Sequence, residues 1–139
     1  MVRDICKDQF LLKQECREAI VAEDTEIAND LLDTLIAHAD ECVGMGANMI
    51  GKSVRIIAFL NQETGKYEVM FNPCIVKQEQ KYETEEGCLS LVGKRPATRY
   101  KKIKVKYQDF KGIWKFKTYQ DFTAQIIQHE IDHTNGILI

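Results

Sequence analysis

The sequence has few of the residues that mark fibrous, disordered or membrane-spanning chains. Only two of its 139 residues are proline and eight are glycine, far below the share found in collagen-like or low-complexity proteins. The longest unbroken apolar run, Ile56 to Leu60, has five residues, whereas a helix needs about 20 to cross a bilayer. The first ten residues also lack the apolar stretch of a signal peptide. We therefore expect a globular protein with no membrane partner and a cytoplasmic location.

The chain also lacks a strong charge of either sign. Nineteen basic and 21 acidic residues give a formal net charge of -2, so no overall positive field recruits nucleic acid, and no specific nucleic-acid partner is expected. The five cysteines form an odd set with irregular spacing, which fits reduced thiols better than a disulfide framework. Because a domain of this length forms a core without a structural metal, a bound metal is expected to serve a function.

The sequence contains a succession of periodic segments with neither repeats nor linkers between them, which predicts a single domain over residues 1–139. Apolar residues recur at helical spacing over residues 24–43. Asp24 can cap the start of this helix, and Gly44 would stop it. The chain is therefore expected to begin with a helix.

Strands and a second helix follow this first helix. The predicted strands cover residues 54–60, 67–71, 75–82, 100–107 and 113–119. The first two would form a hairpin that Pro73 ends. Asp121 or Thr123 would cap the last helix, which would run to about Thr134 with Asn135 and Gly136 as its C-terminal stop. The order helix, strands, helix indicates the α+β class.

The last predicted helix contains the run QHEIDH, residues 128–133, and with it an HExxH motif. His129 and His133 lie on one helical face, so both imidazoles can bind one metal ion while the carboxylate of Glu130 reaches a water on that ion. The alternative is two surface histidines on an amphipathic helix. Because the chain has only three histidines, this pattern rarely arises by chance, and the motif predicts a metal site.

A catalytic site of this kind needs a third protein ligand. Six residues follow His133, and none of them is His, Cys, Asp or Glu, so we expect the ligand upstream. Cys88 is the best candidate, because it follows a glycine and precedes a serine-containing segment at the end of a strand-like stretch. The alternative for any single cysteine is a buried structural role.

These residues give the sequence a resemblance to the peptide deformylase family, whose motifs are GxGLAAxQ, EGCLS and QHExDH in that order. EGCLS stands at residues 86–90, and QHEIDH is followed by Asn135 and Gly136, as in the family. The first motif is matched to GMGANMIG at residues 44–51, which keeps both glycines and departs elsewhere. The resemblance implies antiparallel sheets around a central C-terminal helix carrying HExxH, with an N-terminal helix.

The resemblance also implies an activity. Deformylases are metal-dependent hydrolases of protein biosynthesis that remove the formyl group from formyl-methionine at the N-terminus of new bacterial polypeptides and release formate. Cys88, His129 and His133 would bind one divalent metal ion, with Fe²⁺ favoured and Zn²⁺, Ni²⁺ or Co²⁺ also suited to these ligands. Glu130 would act as the general base. The partner would be an N-formylmethionyl peptide or nascent chain, with the ribosome as a further candidate.

In the family, the oxygen of the reacting carbonyl is stabilised by the metal, by the N–H of the residue after the cysteine, here Leu89, and by the last Gln of the first motif. Gly51 stands at the matched position, and loss of one such donor costs about 10² to 10³ in rate. Asn48 could supply a replacement amide or only shape the loop. A weakly active or inactive deformylase-like protein that binds metal and peptide is therefore the alternative function. A general metallopeptidase is a third.

The same match assigns residues to the peptide. They are Gly44, Met45, Gly46, Gly87, Arg95, Phe122 and Ile126. The glycine segment and the strand before Cys88 would flank a peptide bound as an added strand. Phe122 and Ile126 would line an apolar methionine pocket or belong to the core, and Arg95 would hold a substrate carbonyl or remain solvated. Glu86 would pair with Arg99 to support the metal-binding loop.

Overall fold

The computed structural model describes residues 1–137. Its elements, in chain order, are helix α1 (Gln9–Leu12), helix α2 (Val21–Ala37), strand β1 (Gly44–Gly46), a 3-10 turn (Ala47–Ile50), strands β2 (Ile56–Leu60), β3 (Tyr67–Cys88), β4 (Leu91–Gln108) and β5 (Trp114–Gln120), and helix α3 (Asp121–Thr134). The strands form an antiparallel sheet in the order β1-β2-β3-β4-β5. The α+β class predicted from the sequence is confirmed. None of these helices is both long and apolar enough to span a membrane.

Strand β2 is apolar throughout because its two faces are buried against different helices. Ile56 packs in one cluster with Leu31 of α2, and Ile57 packs in a second cluster with Ile127 of α3. Successive side chains of a strand point to opposite faces, and each fully buried side chain of this size contributes about 1.5–3 kcal/mol. The sheet therefore separates two cores, and the second of them holds α3 against the strands.

Helix α2 begins and ends earlier than the helix predicted over residues 24–43. Asp24 caps it from inside the first turn, where its carboxylate accepts the N–H of Ile20 at 2.8 Å and pairs with Arg17. After Ala37 the chain continues in turns, so that the N–H of Cys42 still bonds the carbonyl of His38 at 3.0 Å. Gly44 lies in β1 and is not the helix stop, so the prediction was wrong at both ends.

Strand β3 continues through Pro73, although this proline was expected to end the hairpin. The register with β4 shifts between Phe71 and Cys74, and Asn72 adopts a left-handed φ of 53°. A bulge of this kind accommodates a residue that cannot donate to the ladder. The strand thus runs for 22 residues and carries Cys88 to the side of α3.

Helix α3 ends as the sequence predicts, but the predicted cap was wrong, because the N-cap residue is Gln120 and neither Asp121 nor Thr123 caps the helix with its side chain. It ends at Thr134, with Asn135 as its C-cap and Gly136 at a φ of 76°, which is the conformation that favours glycine after a helix. Gln128 fixes the helix to β4, because its side chain accepts the N–H of Tyr100 at 2.8 Å and donates to the carbonyl of Tyr100 at 2.7 Å. The first residue of QHEIDH therefore positions the helix that carries the others.

Candidate active site

The side chains of Cys88, His129 and His133 come together where the end of β3 meets α3. One ligand atom from each lies within 4.8 Å of the other two. The histidine rings are 4.5 Å apart between centroids, and both residues are buried. One thiol and two imidazoles leave a fourth position open, which is typical of catalytic zinc-type sites. These residues therefore fit a single divalent metal ion.

The electrostatics around His129 also suit a cation. Burial alone would lower the pKa of His129, but a hydrogen bond with Cys88 and the carboxylates of Glu130 and Glu86 raise it to about 10. A group of negative charges that stabilises an imidazolium so strongly would stabilise a divalent metal ion at the same place. The chemistry of the site thus agrees with its geometry.

Glu86 fixes the orientation of His129. Its Oε1 lies 2.7 Å from Nδ1 of His129, which leaves Nε2 for a metal. Arg99 donates to both oxygens of Glu86 at 2.6 to 3.1 Å and to Asp132 at 2.7 Å. Although burial would raise the pKa of Glu86, the bonds from His129 and Arg99 lower it to about 2. Glu86 is therefore ionised at neutral pH, and its predicted pairing with Arg99 is confirmed.

Two further side chains support Glu86, and neither was identified from the sequence. Gln125 donates from Nε2 to the second oxygen of Glu86 at 2.9 Å. Its own carbonyl oxygen accepts the hydroxyl of Tyr82 at 3.2 Å. Gln125 lies one helical turn before His129, a spacing that could have indicated its place on the same face of α3. A continuous hydrogen-bonded chain therefore runs from β3 to the metal-ligand cluster through Tyr82, Gln125, Glu86 and His129.

Glu130 is buried beside the cluster without a hydrogen bond to one of its oxygens. Glu130 is 4 % exposed. Within residues 1–137 its Oε1 has no hydrogen-bond partner, and Nδ1 of His133 lies 3.9 Å from this oxygen. Burial raises the pKa of Glu130 to about 7. A buried carboxyl group with a free oxygen and a pKa near neutrality can take up and release a proton at physiological pH.

These residues lie in the wall of a cavity of about 330 Å³. One side is formed by the end of β3, including Glu86, Gly87, Cys88 and Leu89, and another by α3, including Phe122, Ile126, His129 and Glu130. Residues 41–44 and Met49 form the remaining wall together with Lys94. This volume suits a small ligand or a few residues of peptide.

Comparisons with known proteins agree with this geometry. The family model described as polypeptide deformylase matches residues 2–139. The peptide deformylase of Clostridium beijerinckii is 47% identical over 140 residues, which cover 100% of both chains. The chain belongs to the peptide deformylase family. The deformylase of Desulfotalea psychrophila is 44% identical over 81% of this chain and 69% of its own.

Solved deformylase structures have the same fold. A class I type b peptide deformylase from Acinetobacter baumannii, bound to Met-Ala-Ser, superposes with a TM-score of 0.86 at 29% identity and covers 99% of this chain and 97% of its own. The deformylase from Thermus thermophilus superposes with a TM-score of 0.86 at 32% identity, covering 99% of this chain and 84% of its own. This chain is a peptide deformylase enzyme that removes the N-formyl group in a metal-dependent reaction. The relationship supports an active enzyme over the weakly active or inactive alternative.

The structure also corrects how the first deformylase motif was matched to the chain. Gly44 approaches the catalytic helix so closely that a Cβ atom there would lie 2.6 Å from Cγ2 of Ile126 and 3.1 Å from Oε2 of Glu130. If Gly44 is taken as the second glycine of GxGLAAxQ, the motif covers residues 42–49, CVGMGANM, and Ala47 matches an alanine of the motif. Met49, and not Gly51, then stands at the position of the Gln, and Met49 lines the cavity.

Several residues assigned by the earlier match lie away from the cavity. Asn48 is buried and donates its amide to the carbonyl of His133 at 2.8 Å. Gly51 ends the 3-10 turn with a left-handed φ of 81° and is exposed. Met45 belongs to the apolar cluster that packs against α2, and a Cβ atom on Gly46 would lie 3.5 Å from Cβ of His133. The guanidinium of Arg95 donates to the carbonyl of Val92 at 3.4 Å, and its neighbour Lys94, not Arg95, lines the cavity.

The remaining assigned residues do meet at the cavity. They are Gly44, Gly87, Cys88, Leu89, Phe122, Ile126, His129 and Glu130, with His133 in the ligand cluster. Cys42 and Val43 line it as well, although neither was given a role from the sequence. Gly46 and Ala47 are small residues that match the two alanines of the motif. This match would have started the motif at Cys42 and so identified Cys42 and Val43 from the sequence.

Proposed function

We propose that the metal-ligand residues and Glu130 act together on the N-formyl group of formylmethionyl peptides. The observation that carries this proposal is the free, buried oxygen of Glu130 beside the cluster of Cys88, His129 and His133 in one cavity. When bound, a divalent metal supplies a Lewis acid that lowers the pKa of water and polarises a carbonyl. The chain's own residues then have to move protons, orient the amide and exclude solvent.

Glu130 is proposed as the general base. Since burial raises its pKa to about 7, it can accept a proton from the attacking water and later deliver it to the leaving amine. The formyl C–N bond breaks in this step, giving formate and the free amino terminus. The position of Glu130 next to Gly44 places the proton where the peptide backbone would enter.

The oxygen of the reacting carbonyl is proposed to be held by the backbone N–H of Leu89. Of the residues that line the cavity in the described part of the chain, Gln125 has the only side-chain amide, and both its ends are already bonded. Met49 offers no N–H donor from its side chain. Apart from the ammonium group of Lys94 in the cavity wall, stabilisation of the developing charge therefore rests on the backbone and the metal.

The peptide is proposed to bind as a strand beside β1. In the described sheet, β1 pairs only with β2 and forms an edge, which a peptide can extend as an added strand. The methionine side chain would pack between Phe122, Ile126 and Val43. Phe122 is 50% exposed, as expected for an apolar wall that a ligand completes. The Met-Ala-Ser complex of the Acinetobacter baumannii relative supports a peptide ligand.

We propose ferrous iron as the metal ion that this site binds in the cell. A thiol with two imidazoles accepts Fe²⁺, Zn²⁺, Co²⁺ or Ni²⁺, so the resemblance to the family decides the choice. Protein purified without oxygen should contain about one iron atom per chain. Cys88→Ser should lose tight metal binding, and full metal content in that variant would contradict the ligand set.

The substrate also indicates where the enzyme works. Formylated chains arise at the bacterial ribosome, so we propose a cytoplasmic enzyme that acts on nascent chains. The five cysteines are free thiols, which agrees with a reducing compartment.

The decisive experiment measures formate release from formyl-Met-Ala-Ser by iron-loaded enzyme without oxygen. Rapid release with no cleavage of an unformylated protein would support the proposal. Absence of release from fully iron-loaded enzyme would contradict it. Cleavage of internal amides would revive the general metallopeptidase.

A further inference from the structure

The sheet face turned away from α3 carries a concentration of positive charge. Ile103 and Val105 of β4 are buried toward α3, so the alternating Lys102, Lys104 and Lys106 project from the other side. We call these lysines, together with Trp114 and Phe116 of β5, the outer face. Lys77 of β3 lies across from Lys104, and Glu79 lies across from Lys102. Glu79 pairs with Lys77 at 3.3 Å. Within residues 1–137, the three β4 lysines have no carboxylate partner within 4.0 Å.

Two aromatic rings lie between these charges. Trp114 is 45% exposed and Phe116 is 57% exposed. Nζ of Lys106 is 4.7 Å from the Trp114 ring centroid, and Nζ of Lys104 is 5.4 Å from that of Phe116. The lysines and rings therefore form a continuous surface in which cations alternate with flat apolar groups. The chain as a whole has a net charge of -2, so the outer face differs in sign from the molecule that carries it.

The charge decides which kind of partner fits. A second copy of the chain, docked by a two-fold axis, would bring the same lysines against each other. The edge of the sheet at β5 carries Lys115 and Lys117, which discourage pairing of edge strands. A membrane surface would need apolar rings that project beyond the cations, whereas here the ammonium groups lie over the rings. An anionic polymer with flat groups of its own suits the surface better.

We propose that the outer face binds RNA with unpaired bases. Alternate lysines along a strand lie about 7 Å apart, so Lys102, Lys104 and Lys106 can contact successive phosphates of an extended chain. When the ammonium groups of Lys104 and Lys106 turn from the rings to phosphates, they uncover Trp114 and Phe116. A base can then stack on each ring, as on the aromatic residues of RNA-binding sheet surfaces. None of these residues lines the deformylase cavity. The face would therefore hold the enzyme near RNA while the cavity remains open to a peptide.

The test uses the full chain and a fluorescein-labelled single-stranded RNA of 12 nucleotides in about 50 mM salt. Fluorescence anisotropy should show micromolar binding that weakens with salt, with a slope of about 2 in log K against log salt for three phosphate contacts. Replacing Lys102, Lys104 and Lys106 by Gln should lower the affinity about tenfold or more. Trp114→Ala should lower it about five- to tenfold with little change in the salt slope.

A matched control replaces three exposed lysines elsewhere, Lys7, Lys52 and Lys66, by Gln. This variant has the same net charge as the β4 triple variant and should keep the affinity of the parent. Both variants should release formate from formyl-Met-Ala-Ser at the parent rate, which separates this proposal from the deformylase mechanism. Equal loss of RNA binding in the two variants, or no binding by the parent, would overturn it. Binding to anionic vesicles but not to RNA would also overturn it.

Discussion

The two walls of the cavity are built in different ways. On the side of α3 and the end of β3, side chains determine the site: Glu86 holds His129, and Arg99 and Gln125 hold Glu86. On the side of residues 42–49, the backbone determines it, since Gly44 has no side chain and lets β1 pack directly against Ile126 and Glu130 of α3. The difference indicates that one wall performs the chemistry and the other controls the approach of the peptide.

The largest loss of turnover is expected from a substitution in the side-chain wall, formed by α3 and the end of β3. Glu130→Gln keeps the size of the side chain and removes the proton acceptor, so turnover should fall about 10²- to 10⁴-fold. The measurement is formate release without oxygen, with iron content as the control for an intact metal site. Turnover within tenfold of the parent would show that Glu130 is not the base.

The pH dependence of the parent enzyme tests the same residue. A general base must be deprotonated, so kcat/KM should rise with pH as Glu130 loses its proton. Burial raises the pKa of Glu130 to about 7, and a bound divalent ion lowers it from there. The acidic limb of the profile should therefore lie below pH 7 with metal bound and disappear in the residual activity of Glu130→Gln.

The backbone wall is tested by Gly44→Ala. A Cβ atom at this position would lie 2.6 Å from Ile126, so α3 or β1 must shift. Overpacking of this kind costs about 1–3 kcal/mol in stability, and displacement of Glu130 should lower turnover up to about 100-fold. Gly46→Ala is the matched control, because its nearest neighbour would be Oδ1 of Asn48 at 3.1 Å. Equal loss of turnover in both variants would contradict the special role given to Gly44 over Gly46 in the packing against α3.

The same contrast explains what could be predicted from the sequence. QHEIDH and EGCLS act through side chains of fixed spacing, so His129, His133, Glu130 and Cys88 could be assigned before the structure was known. A glycine wall leaves no such chemical signature, and GMGANMIG was matched two residues too late because both of its glycines fitted the motif. The approach of Gly44 to α3 supports the match that begins at Cys42, which the fit of Gly46 and Ala47 to the two alanines of the motif could already have suggested.

The fold shows a similar division. The period of β4 and the length of α3 follow from apolar spacing, which the sequence displays directly. The continuation of β3 through Pro73 depends on a bulge and on Asn72, whose buried side-chain oxygen accepts the N–H of Ala19 at 2.7 Å. A contact between residues so distant in the chain cannot be predicted from the local sequence pattern. The early end of α2 could not be predicted from that pattern either.

A moderate effect is expected deeper in the side-chain wall. Gln125→Leu removes the bond to Glu86 and leaves the hydroxyl of Tyr82 without its partner, so the orientation of His129 should loosen. Loss of such a supporting bond costs about 10- to 100-fold in metal affinity, which can be measured by Co²⁺ absorption titration. Tyr82→Phe removes only the outer bond and should have a smaller effect. Unchanged affinity in Gln125→Leu would mean that Arg99 alone supports Glu86.

The smallest effect on turnover is expected at Asn48, where the sequence-based match placed an oxyanion donor. Its amide instead bonds the carbonyl of His133 at 2.8 Å from outside the cavity, so Asn48→Ala should lower stability by about 1–3 kcal/mol and leave kcat within a few-fold of the parent. Thermal unfolding and formate release measured on the same preparation separate the two outcomes. A loss of kcat near 10²-fold at unchanged stability would restore Asn48 to the reacting carbonyl, and it would show that the backbone wall also takes part in the chemistry.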